Sequence, residues 1–275
     1  MIGTLDVARN SQDASGARVD LPTRPQRIVS LVPSVTETLF ALGLGPRVVG
    51  VTDWCLHPAD ALARLPRVRG TKNPDLDAIG RLRPDLVLAN LEENREIDVR
   101  RLRERGDCVW VDFPCTVDEV LEHVRWLADL GAPAGAHASL QEDLREGLRR
   151  ARARGARRRK CFLAVWKDPW MTIGPQTYAH DLLAHLGLDN AFSDSTERYP
   201  RVELDEVAAR DPEVVLLPDE PYAFGPGDVA ELRESLGGTS AARAGEIHVV
   251  DGTLTFWHGP RTARALTQGL LARAP

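Results

Sequence analysis

Two stretches of this chain repeat one another, and that repetition limits its architecture more than any other feature. Asp75 to Leu88 aligns without a gap on Glu203 to Leu216. Leu76 falls opposite Leu204, Asp77 opposite Asp205, Pro84 opposite Pro212, and one apolar run opposite another. Each copy reads as a short helix opening in acid, a proline that ends it, and a buried strand. A chain that carries this unit twice is expected to fold as two lobes of one topology.

The remaining patterning agrees. Apolar runs at 27–31, 47–51, 85–89 and 108–112 read as strands, with helical patterns at 93–105 and 117–130 between them. Ser34 with Glu37 three residues later reads as a capping box, with Ser34 as N-cap of a helix stopped by Gly43. The alternation restarts with strands at 161–165, 213–217 and 246–250 and helices at 178–186 and 260–272. The expected fold class is α/β, with two lobes of mostly parallel sheet flanked by helices. Leu140, Leu144 and Leu148 form a single apolar stripe, so one long helix is expected to join the lobes. The expected division is a polar N-terminal lead-in at 1–26, an N-terminal lobe at 27–132, an interlobe helix at 133–158 and a C-terminal lobe at 159–275.

Composition narrows the function classes. The formal net charge of the 275-residue chain is -5, the wrong sign for a nucleic-acid binder. No run approaches the roughly 20 apolar residues that span a bilayer. Met1 to Gly16 is polar with no apolar segment, so no signal peptide is read. The sequence as given is expected in the cytosol, or outside it if an export signal has been removed. The four cysteines, Cys55, Cys108, Cys115 and Cys161, match no zinc-ligand spacing and suit free thiols. The basic run from Arg149 to Lys160 reads as a solvated helix end with acids one or two turns upstream.

If two such lobes face each other, ligands belong beyond the carboxyl ends of their strands. The loops that follow the strands hold an unusual share of aromatics. Four of the six tryptophans, Trp54, Trp166, Trp170 and Trp257, lie in them, with Tyr199 and Phe256. Flat aromatic walls suit a flat or bulky ligand, because they give large contact area at small cost in side-chain entropy. His57 and His258 share these loops. No nucleophile, base and orienter stand together, so no enzyme activity, catalytic residue, bound metal or resident cofactor is expected. The competing reading from another class is a cytosolic enzyme that uses Cys55 with His57, or His258, in the cleft.

The run Arg27-Ile28-Val29-Ser30-Leu31-Val32-Pro33-Ser34-Val35-Thr36-Glu37, with Leu39 to Gly43, Val48 to Thr52 and Pro84 to Leu88, resembles the class III substrate-binding proteins of ABC importers. These helical-backbone metal receptors hold cobalamin, ferric siderophores or haem. The likeness runs from residue 27 to about 271 and is nearest to the cobalamin-binding branch. It implies a non-catalytic monomer that traps a corrinoid or other metal chelate. It also implies ligand contacts at Trp54, at Tyr199 and along Thr253 to Trp257. Asp77 and Asp205 match an exposed acid on each lobe that docks on arginines of the membrane permease. A ferric siderophore or haem in the same fold is the alternative ligand.

Overall fold

In the computed structural model, residues 7–153 and 157–271 are described. The chain divides into two compact units, Met1–Pro114 with Val120–Glu142, and Cys115–Glu119 with Asp143–Pro275.

The first unit opens with an antiparallel hairpin, β1 (Val7–Gln12) and β2 (Arg18–Pro22). Next come β3 (Ile28–Ser30), α1 (Pro33–Ala41), β4 (Val48–Val51), α2 (Ala59–Leu62) and the two-residue strands β5 (Arg69–Gly70) and β6 (Asn73–Pro74). The unit continues with α3 (Leu76–Leu82), β7 (Leu86–Asn90), α4 (Glu96–Glu104) and β8 (Val109–Asp112). Then α5 (Val117–Ala128) and α6 (Ala134–Ala153) carry the chain across the division. The main sheet has the order β4-β3-β7-β8 and every pairing is parallel. All residues of β3 and β7 are buried, as a parallel sheet covered on both faces requires. Val29, Val87 and Val111 pack in one core with Ile79 of α3 and Leu102 of α4.

Ser34 is not the N-cap of α1. Val32 takes that place, with no side-chain cap. Pro33 opens the helix, where its missing N–H leaves nothing unpaired. The residues read as a polar lead-in also hold structure. Val19 and Leu21 of β2 are buried and alternate with exposed neighbours. Asp13, itself buried, ties the hairpin down. Its carboxylate accepts from the N–H groups of Ser15 (2.9 Å), Ala17 (3.2 Å) and Val111 (3.0 Å), and from the Arg103 guanidinium. The Ala14 N–H donates to the Val111 carbonyl at 3.0 Å.

The second unit holds β9 (Arg159–Trp166), β10 (Met171–Thr172), α7 (Tyr178–His185), β11 (Leu188–Asn190), α8 (Leu204–Ala209) and β12 (Val214–Pro218). It ends with α9 (Pro226–Ser235), α10 (Ser240–Ala244), β13 (Ile247–Val250), α11 (Gly252–Phe256) and α12 (Pro260–Gln268). The sheet order is β10-β9-β12-β13, with β11 also on β9. Only β10 runs antiparallel.

The internal repeat reaches the backbone. Asp75 and Glu203 are the N-caps of α3 and α8. Arg83 and Asp211, opposite each other in the alignment, both adopt left-handed φ, 47° and 46°. A proline and then a buried strand follow each. Asp77 and Asp205 stand exposed in the first turns of the two helices.

The 20-residue α6 buries Leu140, Leu144 and Leu148, the expected stripe. Gly147 lets it approach α12 closely, since a Cβ there would lie 2.9 Å from the Leu266 Cβ and 3.0 Å from the Ala263 carbonyl oxygen. Of the expected interlobe helix, 154–156 lie outside the described residues and 157–158 are not helical. The basic run is paired with acids. Arg149 and Arg150 bridge to Glu146, Arg157 to Glu213, Arg158 to Asp189 and Arg159 to Glu246.

Candidate functional site

Parallel pairing puts the carboxyl ends of the strands on one side of each sheet, and the eight sequence-selected ligand residues lie at or in the segments that follow β4, β9, β11 and β13. Trp54 and His57 belong to the first unit. Trp166, Trp170, Tyr199, Phe256, Trp257 and His258 belong to the second.

In the first unit, the loop after β4 is pinned by the Asp53 N–H, which donates to the Arg69 carbonyl at 2.9 Å. Trp54 is 62% exposed. Its indole nitrogen lies beside Gly70, 3.3 Å from where a Cβ would be, so the short β5–β6 hairpin backs the ring. Cys55 is buried below, its sulfur 3.2 Å from the Thr36 hydroxyl and 3.1 Å from the Thr52 hydroxyl. Burial pushes this thiol up, away from the thiolate a nucleophile needs. His57 is half-buried in the same loop.

At the end of β8, burial pushes the Asp112 carboxyl up to about 7, against the pull of Asn90, and His123 Nε2 lies 3.1 Å away. The folded state therefore holds the Asp112 proton more tightly than the unfolded chain does. Its stabilising effect is complete below the unfolded pKa, about 4, and is lost as pH rises to about 7. Asp112→Asn should remove that slope. In denaturant melts, stability of the variant relative to wild type is expected to rise between these pH values. A flat difference would show that Asp112 titrates normally.

In the second unit, Trp166 ends β9 and is 42% exposed. It meets Tyr222 edge-on, with centroids 5.3 Å apart. Tyr222 leans on Phe224 at 4.6 Å, and Phe224 stacks on Trp170 at 5.7 Å. Trp170 packs against the core, so it supports the group from below. Lys167 lies 2.9 Å from Asp228 and 2.6 Å from Glu231, and these carboxylates hold it protonated. Tyr199, half-buried, follows β11, with the Arg198 guanidinium 6.0 Å from its ring.

The turn after β13 is a short helix, α11, capped by Asp251, which accepts from the Thr253 N–H at 2.9 Å and the Leu254 N–H at 3.3 Å. Phe256, half-buried, ends it. Trp257 and His258 follow and are buried. The Arg261 guanidinium sits 5.8 Å from the Trp257 ring centre. His258 meets Tyr178 edge-on at 6.3 Å, and burial pushes its imidazole down to about 4. Burial of this kind favours the neutral imidazole. The raised thiol pKa does not suit Cys55 to act as a nucleophile.

Sequence reasoning passed over Glu220, Tyr222 and Phe224. Its own rule, aromatics in proline- and glycine-containing turns after strands, would have found the two rings in Pro221-Tyr222-Ala223-Phe224-Gly225.

Comparison with known proteins agrees with this architecture. A vitamin B12-binding protein of Salmonella typhimurium (strain LT2) is 31% identical over 194 residues, 70% of this chain and 71% of that protein. The periplasmic vitamin B12 binding protein BtuF of Vibrio cholerae shares the fold, with a TM-score of 0.78, 24% identity, and 89% of this chain and 95% of that one covered. The periplasmic heme-binding protein RhuT from Roseiflexus sp. RS-1 superposes with a TM-score of 0.76, at 26% identity over 88% of this chain and 95% of that one. Residues 28–253 match the periplasmic binding protein family, and the chain belongs to that family.

Proposed function

We propose that the protein is a non-catalytic carrier that binds a corrinoid through aromatic side chains at its strand ends and delivers it to an ABC importer. The observation that carries this reading is the exposure of Trp54 and Trp166 at the carboxyl ends of parallel strands. Large apolar rings left in solvent are costly unless a ligand covers them. The vitamin B12-binding relatives supply the choice of ligand. Haem is the second reading, favoured by the likeness to the heme-binding protein.

Calorimetry against cobalamin, cobinamide, haem and a ferric hydroxamate tests both. Saturable binding of the two corrinoids alone supports the proposal. Binding of haem alone, with a shift of its Soret band, overturns it. Asp77 and Asp205 are proposed to dock on the importer, because the repeat places both, exposed, in the first turns of equivalent helices. Replacing both by Lys should stop corrinoid uptake by importer-containing vesicles. Undiminished uptake would remove the docking role.

A further inference from the structure

We infer that Glu220 sets the peripheral chemistry of the ligand: it favours a corrinoid fringed with amides, which donate hydrogen bonds, and rejects one fringed with carboxylates. This deepens the corrinoid reading above and rests on it.

Glu220 lies in the loop after β12, between two groups of rings. Its carboxylate takes a hydrogen bond from the Trp257 indole. Two residues later, Tyr222 packs against Trp166. The loop is stitched to the turn after β13. The Asp219 N–H donates to the Val250 carbonyl at 3.0 Å, and the Gly252 N–H donates to Asp219 Oδ1 at 2.8 Å. The two backbones touch. A Cβ on Gly252 would lie 2.6 Å from the Glu220 carbonyl oxygen and 2.8 Å from its nitrogen, so only glycine fits. Glu220 is therefore fixed in place.

The charge around it is lopsided. Asp219 and Asp251 are its acidic neighbours, set against the Arg261 guanidinium. That guanidinium donates to the Thr253 hydroxyl at 3.1 Å and lies over Trp257. Lys167, in the loop after β9, is held by Asp228 and Glu231. Burial and the two neighbouring acids already raise the Glu220 pKa, which shows how poorly this corner accepts more negative charge. A ligand amide brought here finds an acceptor. A ligand carboxylate finds the like charge of Glu220, Asp219 and Asp251, the repulsive element that specificity commonly uses.

The test uses two corrinoids that differ in their fringe, cobinamide with amides and cobyrinic acid with carboxylates, titrated into the whole protein at neutral pH. Wild type should prefer cobinamide by about tenfold or more. Glu220→Gln, which keeps an oxygen for Trp257, should shrink that ratio by about threefold or more. Rising salt should shrink it in the wild type, because screening weakens repulsion. An equal affinity of wild type for both corrinoids overturns the inference, as does a ratio unmoved by both salt and Glu220→Gln. In those cases cobinamide binding leaves the corrinoid reading standing. Binding of haem but of neither corrinoid overturns both.

Discussion

Phe162→Ala is expected to destabilise the protein by about 3–5 kcal/mol, the usual cost of emptying a buried phenylalanine site. Phe162 is fully buried in β9, the strand that β10, β11 and β12 all join. It packs against Phe192 with centroids 6.0 Å apart. The core of the second unit gathers around it from three directions, with Val207 of α8, Val215 and Leu217 of β12, and Leu232 of α9. A cavity there collapses poorly, because the surrounding sheet is fixed by backbone hydrogen bonds. Urea titration is the measurement. A loss below about 1 kcal/mol would mean that the site repacks and that β9 is not the centre of this core.

Trp54→Ala should weaken corrinoid binding by about thirtyfold, corresponding to about 2 kcal/mol, the scale of an aromatic anchor removed from a binding surface. The fold should be nearly indifferent, because the side chain is 62% exposed and is not among the residues packed around Val29 and Val87. Phe162 and Trp54 thus make opposite demands. One should cost stability and the other affinity. A Trp54→Ala protein that melts early yet binds corrinoid with wild-type affinity per folded molecule would make Trp54 a packing residue and remove it from the site.

The main parallel strands were legible in the sequence because each is dominated by apolar residues. Leu86 to Ala89 and Val214 to Leu217 are the continuous apolar runs expected of strands buried on both faces. The repeat was legible down to its proline. The hairpin at Val7–Pro22 was not, although Val19 and Leu21 already alternate with polar neighbours. A two-strand ribbon is marginal alone, and what holds this one is a tertiary contact, Asp13 on Val111 and Arg103. Ser34 was misread because Pro33 ahead of it opens the helix two residues early. At the site, Trp54 and Trp166 were found by counting tryptophans in turns, whereas the depth of Trp257 and the support under Trp166 depend on which loops meet. Glu220 carries no signal of its own in one dimension. Its proposed role depends on two loops far apart in sequence that meet at Gly252.

The clasp made by Asp13 bears on self-association. β8 is an edge strand, and an open edge offers its backbone groups to any passing chain. Here the Val111 N–H is spent on a carboxylate and its carbonyl on the Ala14 N–H. At the opposite edge, the Val51 N–H donates to the Pro66 carbonyl and the Val51 carbonyl accepts from the Val68 N–H. Both margins of the first sheet are thus capped at Val111 and Val51 by their own chain. A visiting strand would have to break these bonds before it could pair there, a barrier to the edge-to-edge addition by which sheet proteins form fibrils.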